Sequence, residues 1–215
     1  MKIKFCGLFR ECDIEYANAL MPDFIGFVFA KNSKRFVDFG VAKRLKSNLD
    51  SKIQAVGVFV DSPVERVCEA VSDGIIDIAQ LHGSEDNAYI STLRESLGRC
   101  GTTKPIIKAI KMHDSHSLRE ALESSADFIL LDSANAGSGK AFEWNLLAQK
   151  LQDSQDFTRD FGERFFLAGG INADNLAQAI ALNPYAIDIS SGIESQGIKN
   201  FAKMQKIIQM IRTNK

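Results

Sequence analysis

Two side chains in this sequence are placed to move protons: Cys6, in Lys4-Phe5-Cys6-Gly7, and Asp132, in Phe128-Ile129-Leu130-Leu131-Asp132. Each closes a short apolar run. A thiol beside an anion-binding, electropositive surface titrates below its reference value of about 8.5 and serves as a general base near neutrality. A carboxyl pressed against apolar side chains is shifted upward and can donate a proton. The plainer readings are a buried structural cysteine and an aspartate that caps a loop or forms an ion pair.

Other groups would hold a substrate between them. Phe165 to Glu194 reads as strand, Gly169-Gly170, helix, strand, then Ser190-Ser191-Gly192. Small residues at both turns let backbone N–H groups approach an anion. Asn172 is placed to cap the intervening helix, whose N-terminus adds partial positive charge. Together these describe a phosphate cradle; tight turns with no ligand are the alternative. Arg35 follows Asn32-Ser33-Lys34 and offers a planar fork for a carboxylate, or else a solvated charge. His82 precedes Gly83 at a strand end, and Asp188, if its side chain faces inward, meets a substrate hydroxyl. Gly137-Ser138-Gly139-Lys140 is a loop able to close over a ligand.

Something must bring these distant residues together. Apolar runs are expected at Ile3 to Cys6, Phe24 to Phe29, Ile53 to Val60, Ile75 to Leu81, Pro105 to Ile110, Asp127 to Leu131, Phe165 to Ala168 and Tyr185 to Ile189. Between them lie helical patterns. These include Glu11 to Leu20, Val41 to Leu49, a helix capped by Ser62 with Pro63 and Glu65, one capped by Ser84, Ser115 to Glu123, and Glu143 to Leu151. A last helix carries Phe201, Met204, Ile207, Ile208 and Ile211 on one face, and Cys68 falls on the apolar face of its own helix. Alternating strands and helices imply a parallel sheet, and eight such units close into a (β/α)₈ barrel spanning residues 1–215 as one domain. An open doubly wound sheet would suit fewer strands. In a barrel the strand ends just named share one face, and the last two βα loops are where the fold often holds phosphate.

The bulk composition narrows the classes. With 45% hydrophobic residues in 215, the chain can bury a full core. A net charge of −1 gives no general attraction to nucleic acid or anionic membrane. The apolar runs are too short to span a bilayer, and the N-terminus does not read as a secretory signal, so a cytoplasmic protein is expected. Cys6, Cys12, Cys68 and Cys100 show no metal-ligand spacing. His113 and His116 find no further His or Cys nearby to complete a metal site, so no metal is expected there.

Taken in order, the motifs Lys4-Phe5-Cys6-Gly7, Ser33-Lys34-Arg35-Phe36, Gly57-Val58-Phe59-Val60, Gln80-Leu81-His82-Gly83, Leu130-Leu131-Asp132-Ser133, Gly137-Ser138-Gly139 with Phe142-Glu143-Trp144, Leu167-Ala168-Gly169-Gly170-Ile171 and Asp188 to Glu194 resemble phosphoribosylanthranilate isomerase of tryptophan biosynthesis. The resemblance implies a (β/α)₈ barrel that performs an Amadori rearrangement of N-(5'-phosphoribosyl)anthranilate without a cofactor. It implies Cys6 as general base and Asp132 as general acid. It also implies Arg35 on the anthranilate carboxylate, and Gly169, Gly170, Ser191 and Gly192 on the phosphate, with His82 and Asp188 as pocket residues. The chain departs from the usual pattern at Phe5, where isoleucine is common, and at Ala136-Gly137, where two glycines are common. A histidine-pathway isomerase of the same chemistry would carry a carboxylate in place of Cys6 and a duplicated half-barrel. A non-catalytic sugar-phosphate-binding barrel would need neither Cys6 nor Asp132.

Overall fold

The computed structural model describes residues 1–112, 115–133 and 164–213. Strands β1 (Lys2–Cys6), β2 (Phe24–Val28), β3 (Gln54–Phe59), β4 (Ile78–Leu81), β5 (Ile106–Met112), β6 (Phe128–Ser133), β7 (Phe165–Ala168) and β8 (Ala186–Ile189) close into one parallel barrel. β8 pairs back onto β1 through Lys4 opposite Asp188 and Phe5 opposite Ile189. Around the barrel, α1 (Glu11–Leu20), α2 (Phe39–Ser47), α3 (Val64–Ser72), α4 (Asn87–Arg99), α5 (Ser115–Glu123), α6 (Leu176–Ala181) and α7 (Phe201–Thr213) follow in chain order. The eight-stranded barrel expected from the alternating pattern is therefore the observed one. The segment predicted as a helix at Glu143 to Leu151, the Gly137 to Lys140 loop and His113 lie outside the described residues.

The pleat sorts side chains into two layers. Phe24, Val56, Ile78, Ile107, Leu130, Phe166 and Ala186 form one buried cluster, the barrel filling. Residues of the opposite parity, such as Phe5, Ile25, Phe27, Ile129, Leu131 and Ile187, pack with the helices in a second, larger cluster. That clustering explains why these strands read as near-continuous apolar runs, since both faces are covered. Cys68 is buried in the helix-facing layer with Val67 and Val71, as its spacing indicated.

Carboxylates tie the barrel's N-terminal rim. Asp23 accepts the N–H of Ile3, Asp77 that of Ala55, and Asp127 that of Ile106, so the residue leading into an even strand satisfies a donor on the odd strand before it. Two helix starts differ from expectation. Ser62 does not cap α3, whose N-cap position is Pro63 with no side-chain bond. Its carbonyl instead accepts from the Tyr89 hydroxyl. α4 is capped by Asp86, which accepts from the Tyr89 N–H at 2.9 Å. Ser84 donates to Asp61 instead. At α4 a nearby carboxylate took over the capping role assigned to a serine, whereas at α3 Pro63 occupies the position without a side-chain cap.

Candidate active site

Strand parity places the proton-moving residues. Cys6 ends β1 two residues after Lys4, and Gly26 of β2 is its register partner. Asp132 shares the face of Leu130, a barrel-filling residue, and pairs with Ala168. Asp188 shares the face of Ala186. All three therefore face the interior at the C-terminal ends of β1, β6 and β8. Gly26 makes room for the thiol: a Cβ there would sit 2.7 Å from Cys6 Sγ.

The thiol's surroundings are dry and charged. Lys4 has no exposed side-chain surface, and its Nζ meets Asp188 Oδ2 at 2.7 Å. Burial alone would push the Lys4 ammonium down; Asp188 and Cys6 outweigh it, so the ammonium is held above its ordinary range. For Cys6 burial is the largest influence and drives the thiol upward, with the Lys4 charge opposing it and Asp188 adding to it. The shift runs opposite to the one expected from sequence. A strand-end thiol was expected in a partly open, electropositive place, but here desolvation of a thiolate outweighs the neighbouring ammonium.

The acid's surroundings differ. Asp132 keeps 23% of its side-chain surface exposed, so the near-complete exclusion of water that its apolar run suggested is not found. His82 Nε2 lies 3.3 Å from Asp132 Oδ2. Gln80 Nε2 lies 3.0 Å from His82 Nδ1. An amide N–H donating there leaves the ring hydrogen on Nε2, the nitrogen that faces Asp132. Glu85 braces this loop by accepting from the N–H groups of Asp61 and Gly83, and the buried Lys108 donates to the Gly83 carbonyl at 2.7 Å.

The two glycine-rich turns come together. Gly169 and Gly170 have φ of 97° and 63°, the left-handed region that other residues rarely adopt. Gly192 packs so closely on the β7 loop that a Cβ would lie 1.9 Å from the Ile171 carbonyl oxygen. A single 3₁₀ turn at Ser191–Ile193 makes its first bond from the Ile193 N–H to Ser190, which leaves the Ser191 and Gly192 N–H groups outside the turn's own bonding. Asn172 does not cap α6, which begins at Leu176 after Asn175. Its side chain accepts from the Asp174 N–H and donates to the Gly170 carbonyl, holding the loop shape. The helix therefore contributes less directly to this cradle than the sequence implied.

Arg35 lies over Gly7, whose φ is 78° and where a Cβ would meet Arg35 Cδ at 2.3 Å. The guanidinium thus sits beside the end of β1, next to Cys6. It forks Glu194 through Nε at 2.6 Å and Nη2 at 2.8 Å. Glu194 opens a two-strand hairpin, β9 (Glu194–Ser195) with β10 (Ile198–Lys199), and also takes Lys199 Nζ at 2.6 Å. For Glu194, burial raises the carboxyl, but the hydrogen bonds from Arg35 and Lys199 prevail and hold it below its usual range. Lys4, Gln80, Gly26, Glu194 and Lys199 were not singled out from sequence. The only signal for the first two was their place two residues before Cys6 and His82 on the same strands. Among the described residues, no cluster of His, Cys, Asp or Glu is arranged to hold a metal ion, and no helix is long and apolar enough to cross a membrane.

These features have counterparts in known proteins. The family model for N-(5'-phosphoribosyl)anthranilate isomerase matches residues 3–210. The N-(5'-phosphoribosyl)anthranilate isomerase of Endomicrobium trichonymphae is 41% identical over 99% of this chain and 98% of its own length. The crystal structure of phosphoribosyl anthranilate isomerase from Thermus thermophilus superposes with a TM-score of 0.82 at 32% identity, covering all of both chains. A phosphoribosyl anthranilate isomerase solved in complex with reduced 1-(o-carboxyphenylamino)-1-deoxyribulose 5-phosphate superposes with a TM-score of 0.79 at 27% identity, over 99% of each chain. With a family match across nearly its whole length and relatives of this identity, the chain belongs to the N-(5'-phosphoribosyl)anthranilate isomerase family.

Proposed function

We infer that this chain is an isomerase of tryptophan biosynthesis that converts N-(5'-phosphoribosyl)anthranilate into 1-(2-carboxyphenylamino)-1-deoxyribulose 5-phosphate. Within this family, the observation that carries the reading is the placement of Cys6 and Asp132. They occupy interior-facing strand ends on β1 and β6, on different sides of one barrel mouth.

Asp132 protonates the furanose ring oxygen, and the C1'–O bond breaks to give an open-chain Schiff base. Cys6, as thiolate, then removes the proton on C2', and the electron pair moves toward the iminium nitrogen to give an enolamine. Ketonisation at C2' with protonation at C1' yields the product. No electrons leave the substrate, so the chemistry needs proton donors and acceptors alone. Lys4 stabilises the thiolate that burial disfavours. His82, oriented by Gln80, holds Asp132 in position.

The rest of the site fixes the substrate. Gly169, Gly170, Ser191 and Gly192 line the phosphate end, where the close approach of the two loops favours backbone N–H contacts over side-chain ones. Arg35 receives the anthranilate carboxylate. Asp188 Oδ1, buried and without a hydrogen-bond partner among the described residues, accepts from a ribose hydroxyl. In this reading the protein acts as one cytoplasmic barrel domain on a small molecule and has no nucleic-acid partner.

The test is turnover. Phosphoribosylanthranilate mixed with the purified protein loses its anthranilate-type fluorescence as product forms. A well-folded protein that leaves the fluorescence unchanged would overturn the catalytic reading and leave a sugar-phosphate-binding barrel.

A further inference from the structure

Arg35 is not free to turn. Its stem lies on Gly7, and its Nε and Nη2 are both committed to Glu194. That contact uses one edge of the guanidinium. Among the described residues, Nη1 has no partner, so its edge remains for a ligand. Glu194 in turn is shared. Its Oε1 accepts from Arg35 Nε and from Lys199 Nζ, each at 2.6 Å. Lys199 is fully buried and also donates to the Ser190 carbonyl at 3.0 Å, and Lys203 donates to the Glu194 backbone carbonyl at 2.6 Å. The carboxylate is thus clamped by two side chains, and the backbone of its residue is held by a third.

The charge count matters as much as the geometry. Arg35 paired with Glu194 alone would be neutral and would give an incoming carboxylate little net attraction. With Lys199 on the same carboxylate, two cations share one anion; burial pulls the Lys199 ammonium below its ordinary range and Glu194 opposes that, and with Lys199 protonated these three side chains keep one positive charge. A guanidinium already held in place also loses less freedom on binding than a free one.

We propose that Glu194 is a positioning residue for substrate recognition: it locks one edge of Arg35 so that the other edge meets the anthranilate carboxylate, while Lys199 keeps the cluster net positive. The proposal rests on the reading of Arg35 as the carboxylate site. Glu194 touches no reacting atom, so its loss changes affinity and selectivity and leaves the chemical step in place.

The test uses two ligands, reduced 1-(o-carboxyphenylamino)-1-deoxyribulose 5-phosphate and its phenylamino counterpart without the carboxylate. Binding of each is measured by calorimetry to the wild type, Arg35→Met, Glu194→Gln and Glu194→Asp. Glu194→Gln is expected to weaken the carboxylate-bearing ligand by about tenfold or more and the other by less than about twofold, with tenfold equal to about 1.4 kcal/mol. Glu194→Asp recovers part of the loss. In turnover, Glu194→Gln raises KM and leaves kcat within about twofold. If Arg35→Met keeps the full preference for the carboxylate, the reading of Arg35 is wrong. If Arg35→Met loses that preference while Glu194→Gln keeps it, or if Glu194→Gln binds the carboxylate more tightly, the positioning role is overturned. Should Glu194→Gln fail to fold with Lys199 left unpaired, the double variant Glu194→Gln/Lys199→Met removes both buried charges. It must lose the same preference for the proposal to stand.

Discussion

The two walls of the barrel mouth are built on different principles. The wall formed by β8 and β1 is dry and dense with paired charge: Lys4 with Asp188, and Lys199 with Glu194, all with no more than 7% of their side-chain surface exposed, while Arg35 at the outer edge of this cluster keeps 28%. The wall formed by β4 and β6 is wetter. There His82 and Asp132 keep 25% and 23% of their side-chain surface exposed and meet at a looser 3.3 Å. The difference follows from what each wall must do. A thiolate that accepts a proton from carbon is stabilised by a fixed ammonium in a place without water. A carboxyl that protonates a ring oxygen must be reloaded with a proton each cycle, and access to solvent supplies it. On the dry wall the same charges therefore serve stability and function, whereas on the wet wall His82 and Asp132 are set apart from the buried Lys108 and Glu85 that brace their loop.

Substitutions should separate the walls. Lys4→Met leaves Asp188 buried and unpaired, and the loss of unfolding free energy is expected at about 3–5 kcal/mol, read by denaturant titration. A loss near zero would show that the dry wall tolerates an unpaired carboxylate and would erase the contrast. Asp132→Asn should do the reverse. Its kcat is expected to drop by about 10²-fold or more, while stability changes by no more than about 0.5 kcal/mol. An Asp132→Asn protein that is active but unstable would move Asp132 from acid to structural partner.

Gly26→Ala tests how tightly the thiol is held. The added methyl would lie 2.7 Å from Cys6 Sγ, so the strand or the thiol must shift, at an expected cost of about 1–3 kcal/mol together with reduced kcat. Normal stability and rate would show slack around Cys6. The pH profile sharpens the same point. Burial shifts the Cys6 thiol upward, so the thiol form persists above the ordinary thiol range and the basic form is scarce near neutrality. The rate of iodoacetamide alkylation at Cys6 is then expected to rise about tenfold per pH unit without levelling off by pH 9.0. A plateau below that pH would mean that Lys4 outweighs burial.

Much of this contrast was written in the sequence, but unevenly. Strand and helix order was legible because both faces of each barrel strand are covered, which leaves apolar runs such as Ile53 to Val60. Cys6, Asp132 and the two glycine-rich turns stood at strand ends, where the fold gathers its chemistry. What escaped was pairing. Lys4 and Asp188 are 184 residues apart, and Arg35 and Glu194 are 159 apart, so nothing local marks them as partners. The β9–β10 hairpin also escaped, since two-residue strands carry no periodicity. The direction of the Cys6 shift is not legible locally for the same reason. Neighbouring charge was inferred from the glycine-rich turns, but the depth of burial depends on Gly26, Lys4 and the closed barrel together. Ser62 and Ser84 read well as caps, yet capping is a competition, and Pro63 and Asp86 hold those positions.

The central claim is that Cys6 takes the C2' proton of phosphoribosylanthranilate. The most direct measurement is steady-state turnover of that substrate by Cys6→Ala beside the wild type, with both shown to be folded by circular dichroism. A fall in kcat of about 10²-fold or more with KM nearly unchanged is the predicted result. A Cys6→Ala protein that retains near-normal kcat would contradict the account and return Cys6 to the role of a buried structural residue.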